Sequence, residues 1–255
     1  MPLSTRLASI PLLTALLAAV VAAGAWIGWR WLWVVVLIML VAAIGQGWGM
    51  LLDLPFIPGT VAVVAFAGLA GLLVAHTGGG TRILRNLPLV IAMALIVAFF
   101  AEMMRPDGRP HLLASVSGTA AGAVVAASVA GWLGLAHSGG QAAHIIVTGA
   151  VALALAAAAS LYLKATFLGA SPWRLFAAIM VVGAGVGTLI GALLFADVSP
   201  GRGLLTGAVA SLPYALSGVL VSKDGRSSFT DNMRVRLAGA AASVALAGMV
   251  LFIVS

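Results

Sequence analysis

Cysteine is absent from the 255 residues. Its absence excludes disulfides, thiolate chemistry and cysteine-ligated metals. Charge is almost as scarce: Asp, Glu, Lys and Arg together make up 7% of the chain, against about 25% in a soluble domain. The standard nucleotide and hydrolase signatures are missing as well. There is no P-loop, no GxGxxG run after a strand, no HExxH and no GxSxG. Ser117 and Ser217 precede glycines, but neither has a histidine nearby in a matching arrangement.

What is present is hydrocarbon. Hydrophobic residues make up 63% of the chain, and the 31 glycines are spread through the apolar runs. A soluble fold of this length has nowhere to hide so much apolar surface, so lipid must be its solvent. About twenty apolar residues cross a bilayer as a helix. The runs are continuous rather than alternating, which argues against a membrane β-barrel. The fold class is therefore all-α: a polytopic integral membrane helix bundle forming a single transmembrane domain over residues 1–255. Nine spans are expected, with eight or ten as the alternatives. They are predicted near 10–28, 31–52, 59–75, 87–103, 112–135, 143–163, 172–195, 203–221 and 237–254. Pro55 and Pro58 are expected to interrupt regular helix, and Pro88 to fall in a first turn. Arg6, the first apolar run and Ala23-Gly24-Ala25 also resemble a signal peptide. The many spans that follow favour an uncleaved first helix.

The net charge is +7. In a soluble protein this excess would suggest nucleic acid. Here the basic residues fall between spans, where they set topology, so the expected partner is the bilayer and no nucleic acid. With the N-terminus inside, nine of the thirteen Lys and Arg residues fall on the cytoplasmic side. Arg30, Arg82, Arg85 and Arg202 fall outside. That bias predicts a plasma-membrane protein with a cytoplasmic N-terminus and, for nine spans, an external C-terminus. Trp29, Arg30, Trp31 and Trp33 mark one membrane boundary.

Two polar segments stand out on the predicted cytoplasmic face. The first holds Glu102, Arg105, Asp107, Arg109 and His111 within ten residues and reads as a tight hairpin between two spans. The second runs from Lys223 to Arg236, with Asp224, Arg226 and Asp231. If they meet, their carboxylates suit a Mg²⁺ ion and their arginines a phosphate. Read more plainly, both are solvated loops with topogenic arginines. Glu102 is the most telling single residue, since an acid at membrane depth is costly and tends to be functional. It also stands one turn from Arg105, with which it can pair. No metal site is expected from the histidines: His137 and His144 have no third ligand.

Gln46, Pro213, Tyr214 and Ser217 are the polar or kinking features deepest in their helices. A broken helix near the midplane is one way transporters build a substrate cavity. Gly183, Gly187 and Gly191 recur every fourth residue, a small-residue stripe suited to close helix contact. The stripe suits a homo-oligomer or a membrane-complex partner.

The multi-pass layout, with an Asp, Lys and Arg loop over 223–232 before the last helix, is loosely similar to the bacterial CDP-diacylglycerol synthases. The family's Gly-His-Gly-Gly run is missing here, so no catalytic residue carries over. The leading expectation is a transporter or permease-type protein for a small or lipidic substrate. The alternatives are a membrane enzyme acting on a lipid or isoprenoid-phosphate headgroup, and a non-catalytic subunit of a membrane complex. Mg²⁺ enters only with the enzyme alternative.

Overall fold

The computed structural model describes residues 9–78, 83–105, 111–166, 171–195, 199–224 and 232–254. Every element among them is helical: α1 Ser9–Ile27, α2 Arg30–Leu51, α3 Ile57–Gly78, α4 Ile83–Met103, α5 Leu112–Ala127, α6 Ala130–Ala136, α7 Ala142–Thr166, α8 Pro172–Leu194, α9 Pro200–Asp224 and α10 Met233–Val254. Among the described residues, nine spans are long and apolar enough to cross a membrane, with α5 and α6 forming one of them over Leu112–Ala136. The chain is a multi-pass, all-α membrane protein.

Large apolar side chains cover the outside of the bundle. Trp31 is 82% exposed, Leu113 84% and Leu193 78%. Such a surface is stable only against lipid. The helices are apolar around their whole circumference, as expected for spans buried on every side in protein or lipid.

α10 is the hub. It packs against α1, α2, α5, α6, α7 and α9, and most of its residues are buried. α3, α4 and α5 pack together on one flank, and α7, α8 and α9 on the other. α4 and α8 are the least buried spans. The bundle has two distinguishable ends. The hairpin end holds the α2–α3 turn, the end of α4, the start of α5 and the start of α10, where the Asn232 amide meets the Met50 sulfur of α2. The aromatic end holds Trp26, Trp29, Trp31 and Phe195, with Trp26 and Phe195 ring centroids 6.1 Å apart.

Helix contact relies on glycine notches filled by indoles. Trp132 of α6 is fully buried over Gly248 of α10, where a Cβ would collide with the indole. Its Nε1 donates to the Val244 carbonyl at 2.9 Å. Trp48 of α2 lies over Gly122 of α5 in the same manner and donates to the Gly118 carbonyl at 2.9 Å. Trp33 sits over Gly24 of α1. Each pair lets large and small residues interdigitate in a solvent that supplies no hydrophobic drive for helix association.

Three details differ from the sequence expectation. Pro58 lies inside α3 as its second residue, where the missing N–H is one the helix leaves unused. Pro88 is the sixth residue of α4 rather than a first-turn residue, because α4 begins at Ile83. The span expected over 112–135 is present as one span, but its helix is divided into α5 and α6. At Ser128 and Val129 the bonding tightens, with Val129 N donating to Ala126 O and Gly131 N to Ser128 O. These i→i+3 bonds shift the register of α6, whose Gly131 then lies against the α10 backbone at Gly248 and Met249.

Candidate functional site

The end of α4 and the start of α5 enclose a buried polar cluster. Glu102, at the end of α4, is 5% exposed, and Arg105 is 4% exposed. Arg105 Nη1 donates to Glu102 Oε2 at 2.8 Å. The other carboxylate oxygen, Oε1, accepts a short hydrogen bond from the Ser115 hydroxyl of α5, a fully buried side chain. Both Glu102 oxygens are thereby engaged. A second polar contact lies one turn deeper: the Thr60 and Thr119 hydroxyls are 3.1 Å apart between α3 and α5. Leu54, from the α2–α3 turn, packs onto Gly118 beside it. A buried carboxylate is tolerable only with a partner charge and filled lone pairs, and Arg105 and Ser115 supply both. The arrangement neutralises a charge inside the bundle and ties α4 to α5.

Asp107, Arg109, Arg226 and Asp231 lie outside the described residues. Asp224 ends α9, and its side chain also lies outside them. The polar segments at 102–111 and 223–236 are therefore represented here by Glu102, Arg105 and His111 on one side and Asn232, Arg234 and Arg236 on the other. No group of three metal-ligating side chains occurs among the described residues. His137 bonds its own helix at the Leu133 carbonyl, while His144 stacks on Phe195 with centroids 4.3 Å apart.

The four polar or kinking residues expected deepest in their helices are distributed as follows. Gln46 is exposed on the outer surface of α2. Pro213 is buried within α9. Tyr214 is buried, and its hydroxyl lies 2.7 Å from Ser160 Oγ of α7. Ser217 donates back to the Tyr214 carbonyl at 2.7 Å. Gly183, Gly187 and Gly191 are buried on α8. Gly183 and Gly187 meet Gly203, Gly207 and Ser211 of α9 within the same chain, and a Cβ at Gly187 would lie 2.8 Å from Gly207 Cα.

A cleft lies elsewhere, at the aromatic end between α7, α9 and α10, with a volume of about 540 Å³. Its rim carries Ser138, Gln141 and Arg202, and Thr206 stands further in. Arg202 Nη1 reaches Gln141 Oε1 at 3.4 Å. Ile145, Leu205, Val209 and Leu251 form its apolar walls. Arg202 to Val209 is seven residues of helix, so the cleft descends about 10 Å along α9. Below it the bundle closes where Gly149 of α7 meets Leu251 and Ala210. A smaller cleft of about 210 Å³ lies across the Gly139–Gly140 turn, beside Trp29 and Trp33.

Sequence reasoning missed this cleft. Arg202 reads as a topogenic charge and Gln141 as a turn residue, and 61 residues separate them. One local signal was available: an arginine in the first turn of a helix, where the helix dipole disfavours a cation.

No family model matches the chain, and no significant match was found among curated proteins or solved structures.

Proposed function

We propose that this chain is a membrane transport protein of the permease type, taking a small or lipidic substrate through the cleft between α7, α9 and α10. The observation that carries this reading is the cleft itself. Its volume of about 540 Å³ falls in the range of small-molecule sites, and it lies between helices of a bundle, where such sites recur. It opens at one end of the bundle, has a few polar groups at its rim and apolar walls below, and stops at the packed layer of Gly149, Ala210 and Leu251. Immediately below that layer α9 contains Pro213, which cannot donate to the Val209 carbonyl and so weakens the helix beneath the cleft. A cleft open at one end above a weakened helix suits alternating access. Charge bias supports a plasma-membrane setting with the aromatic end outside.

The test is efflux. Proteoliposomes holding a defined mixture of organic acids, amines, sugars and amino acids are compared with protein-free vesicles by mass spectrometry of the released solutes. At least one solute is expected to leave faster with the protein. Val209→Trp, which fills the cleft, is expected to return its release to the protein-free rate. Identical release profiles with and without protein would overturn the reading.

A further inference from the structure

Building on the transport reading of this cleft, we propose that it takes a small amphiphilic anion, with an oxyanion head at Arg202 and an apolar tail against Ile145, Leu205 and Val209. Among the described residues that line the cleft, Arg202 is the only charged one. The guanidinium has five donors, and its side-chain partner among the described residues is a neutral one, Gln141 Oε1 at 3.4 Å. α9 begins at Pro200 and α7 at Ala142, so two helices start at the cleft. Helix N-termini carry partial positive charge, so those of α7 and α9 add to the arginine, while the C-terminal end of α10, at Val254, lies on the opposite wall. An arginine in the first turn of α9 is disfavoured by that helix's own dipole. An anion in the cleft would reverse the sign of this interaction and meet the guanidinium through paired N–H donors.

The walls set the rest of the ligand. Below Arg202 the lining is aliphatic apart from Thr206, so a bare inorganic anion would leave most of the cleft unfilled. A carboxylate or phosphate bearing an aliphatic chain matches both halves. Two sources supply that chemistry: a water-soluble organic acid, or an anionic lipid from the surrounding leaflet.

The experiment uses the full chain in phosphatidylcholine nanodiscs, titrated with hexanoate and, separately, with hexylammonium. Saturable hexanoate binding, with none for hexylammonium, is the expected result. Arg202→Gln is expected to weaken hexanoate binding by about tenfold or more, and Arg202→Lys by less. Because Arg202 is exposed, both variants should keep the wild-type melting temperature, which is recorded alongside. Native mass spectrometry from nanodiscs containing phosphatidylglycerol separates the sources. One phosphatidylglycerol retained per chain, lost in Arg202→Gln and displaced by hexanoate, identifies the lipid as occupant. Hexanoate binding without lipid retention identifies a soluble acid. Failure to bind either anion, or equal binding by wild type and Arg202→Gln, overturns the proposal. Anion binding with no solute efflux would keep the site and remove the transport reading. Efflux of neutral or cationic solutes alone, with no anion bound, would do the reverse.

Discussion

At the scale of single residues, the decisive feature is that Glu102 is buried with both oxygens occupied. Removing one member of a buried pair leaves an uncompensated charge and costs about 3–5 kcal/mol. Glu102→Ala is therefore expected to be strongly destabilised in detergent-micelle unfolding. Adding Arg105→Met should restore most of that loss, because replacing both charges with apolar groups removes the desolvation cost together with the attraction. If the double variant were no more stable than Glu102→Ala, the ion pair would not be the source of the loss. Ser115→Ala removes one hydrogen bond and should cost about 1 kcal/mol. Glu102 was legible in the sequence as the acid nearest membrane depth, and Arg105, three residues on, as its partner. Ser115 was legible only as a small polar residue, since its bond to Glu102 spans thirteen residues and a reversal of the chain.

At the scale of elements, α8 and α9 test what the glycines do. Gly183, Gly187, Gly203 and Gly207 bring the two backbones together, and the atoms nearest an added Cβ are mostly backbone atoms that cannot move aside. Gly207→Leu is expected to lose about 3 kcal/mol or more and to separate the helices. Gly185 is exposed on the same helix as Gly187, with open space beyond it. Gly185→Leu should be neutral or slightly stabilising, because leucine is the better helix former. Equal stability of the Gly207→Leu and Gly185→Leu proteins, measured by unfolding in the same micelles, would remove glycine contact as the basis of α8–α9 packing. The every-fourth-residue spacing on α8 was visible in the sequence. Its counterpart on α9 was not singled out, because Gly203 and Gly207 fall at the polar start of that helix. Pro213 belongs to this scale too. Pro213→Ala restores the bond to Val209 and should leave the melting temperature unchanged or raised, while slowing any efflux that depends on bending α9.

At the scale of the whole molecule, the cysteine-free sequence makes orientation directly measurable. Single cysteines at Ser138 and His111, on opposite ends of the bundle and both exposed, can be labelled in intact cells with an impermeant maleimide. The Lys and Arg bias predicts labelling of Ser138→Cys only. Labelling of His111→Cys alone would invert the orientation and place the cleft on the cytoplasmic side, a result the efflux and binding experiments do not depend on.

The sequence by itself determined that the chain spans a membrane, roughly where each span begins and ends, and which acid stands nearest membrane depth. These follow from run length, proline and glycine punctuation and the cost of charge in hydrocarbon, all of which are local. Only the tertiary structure decided which faces meet. Trp48 lies on Gly122, Trp132 on Gly248, Gly187 on Gly207, and Arg202 leans toward Gln141 across an open cleft. In water a helix announces its buried face by an apolar stripe. In lipid every face is apolar, so the stripe disappears, and the partners are selected by the fit of large side chains into glycine notches far apart in sequence.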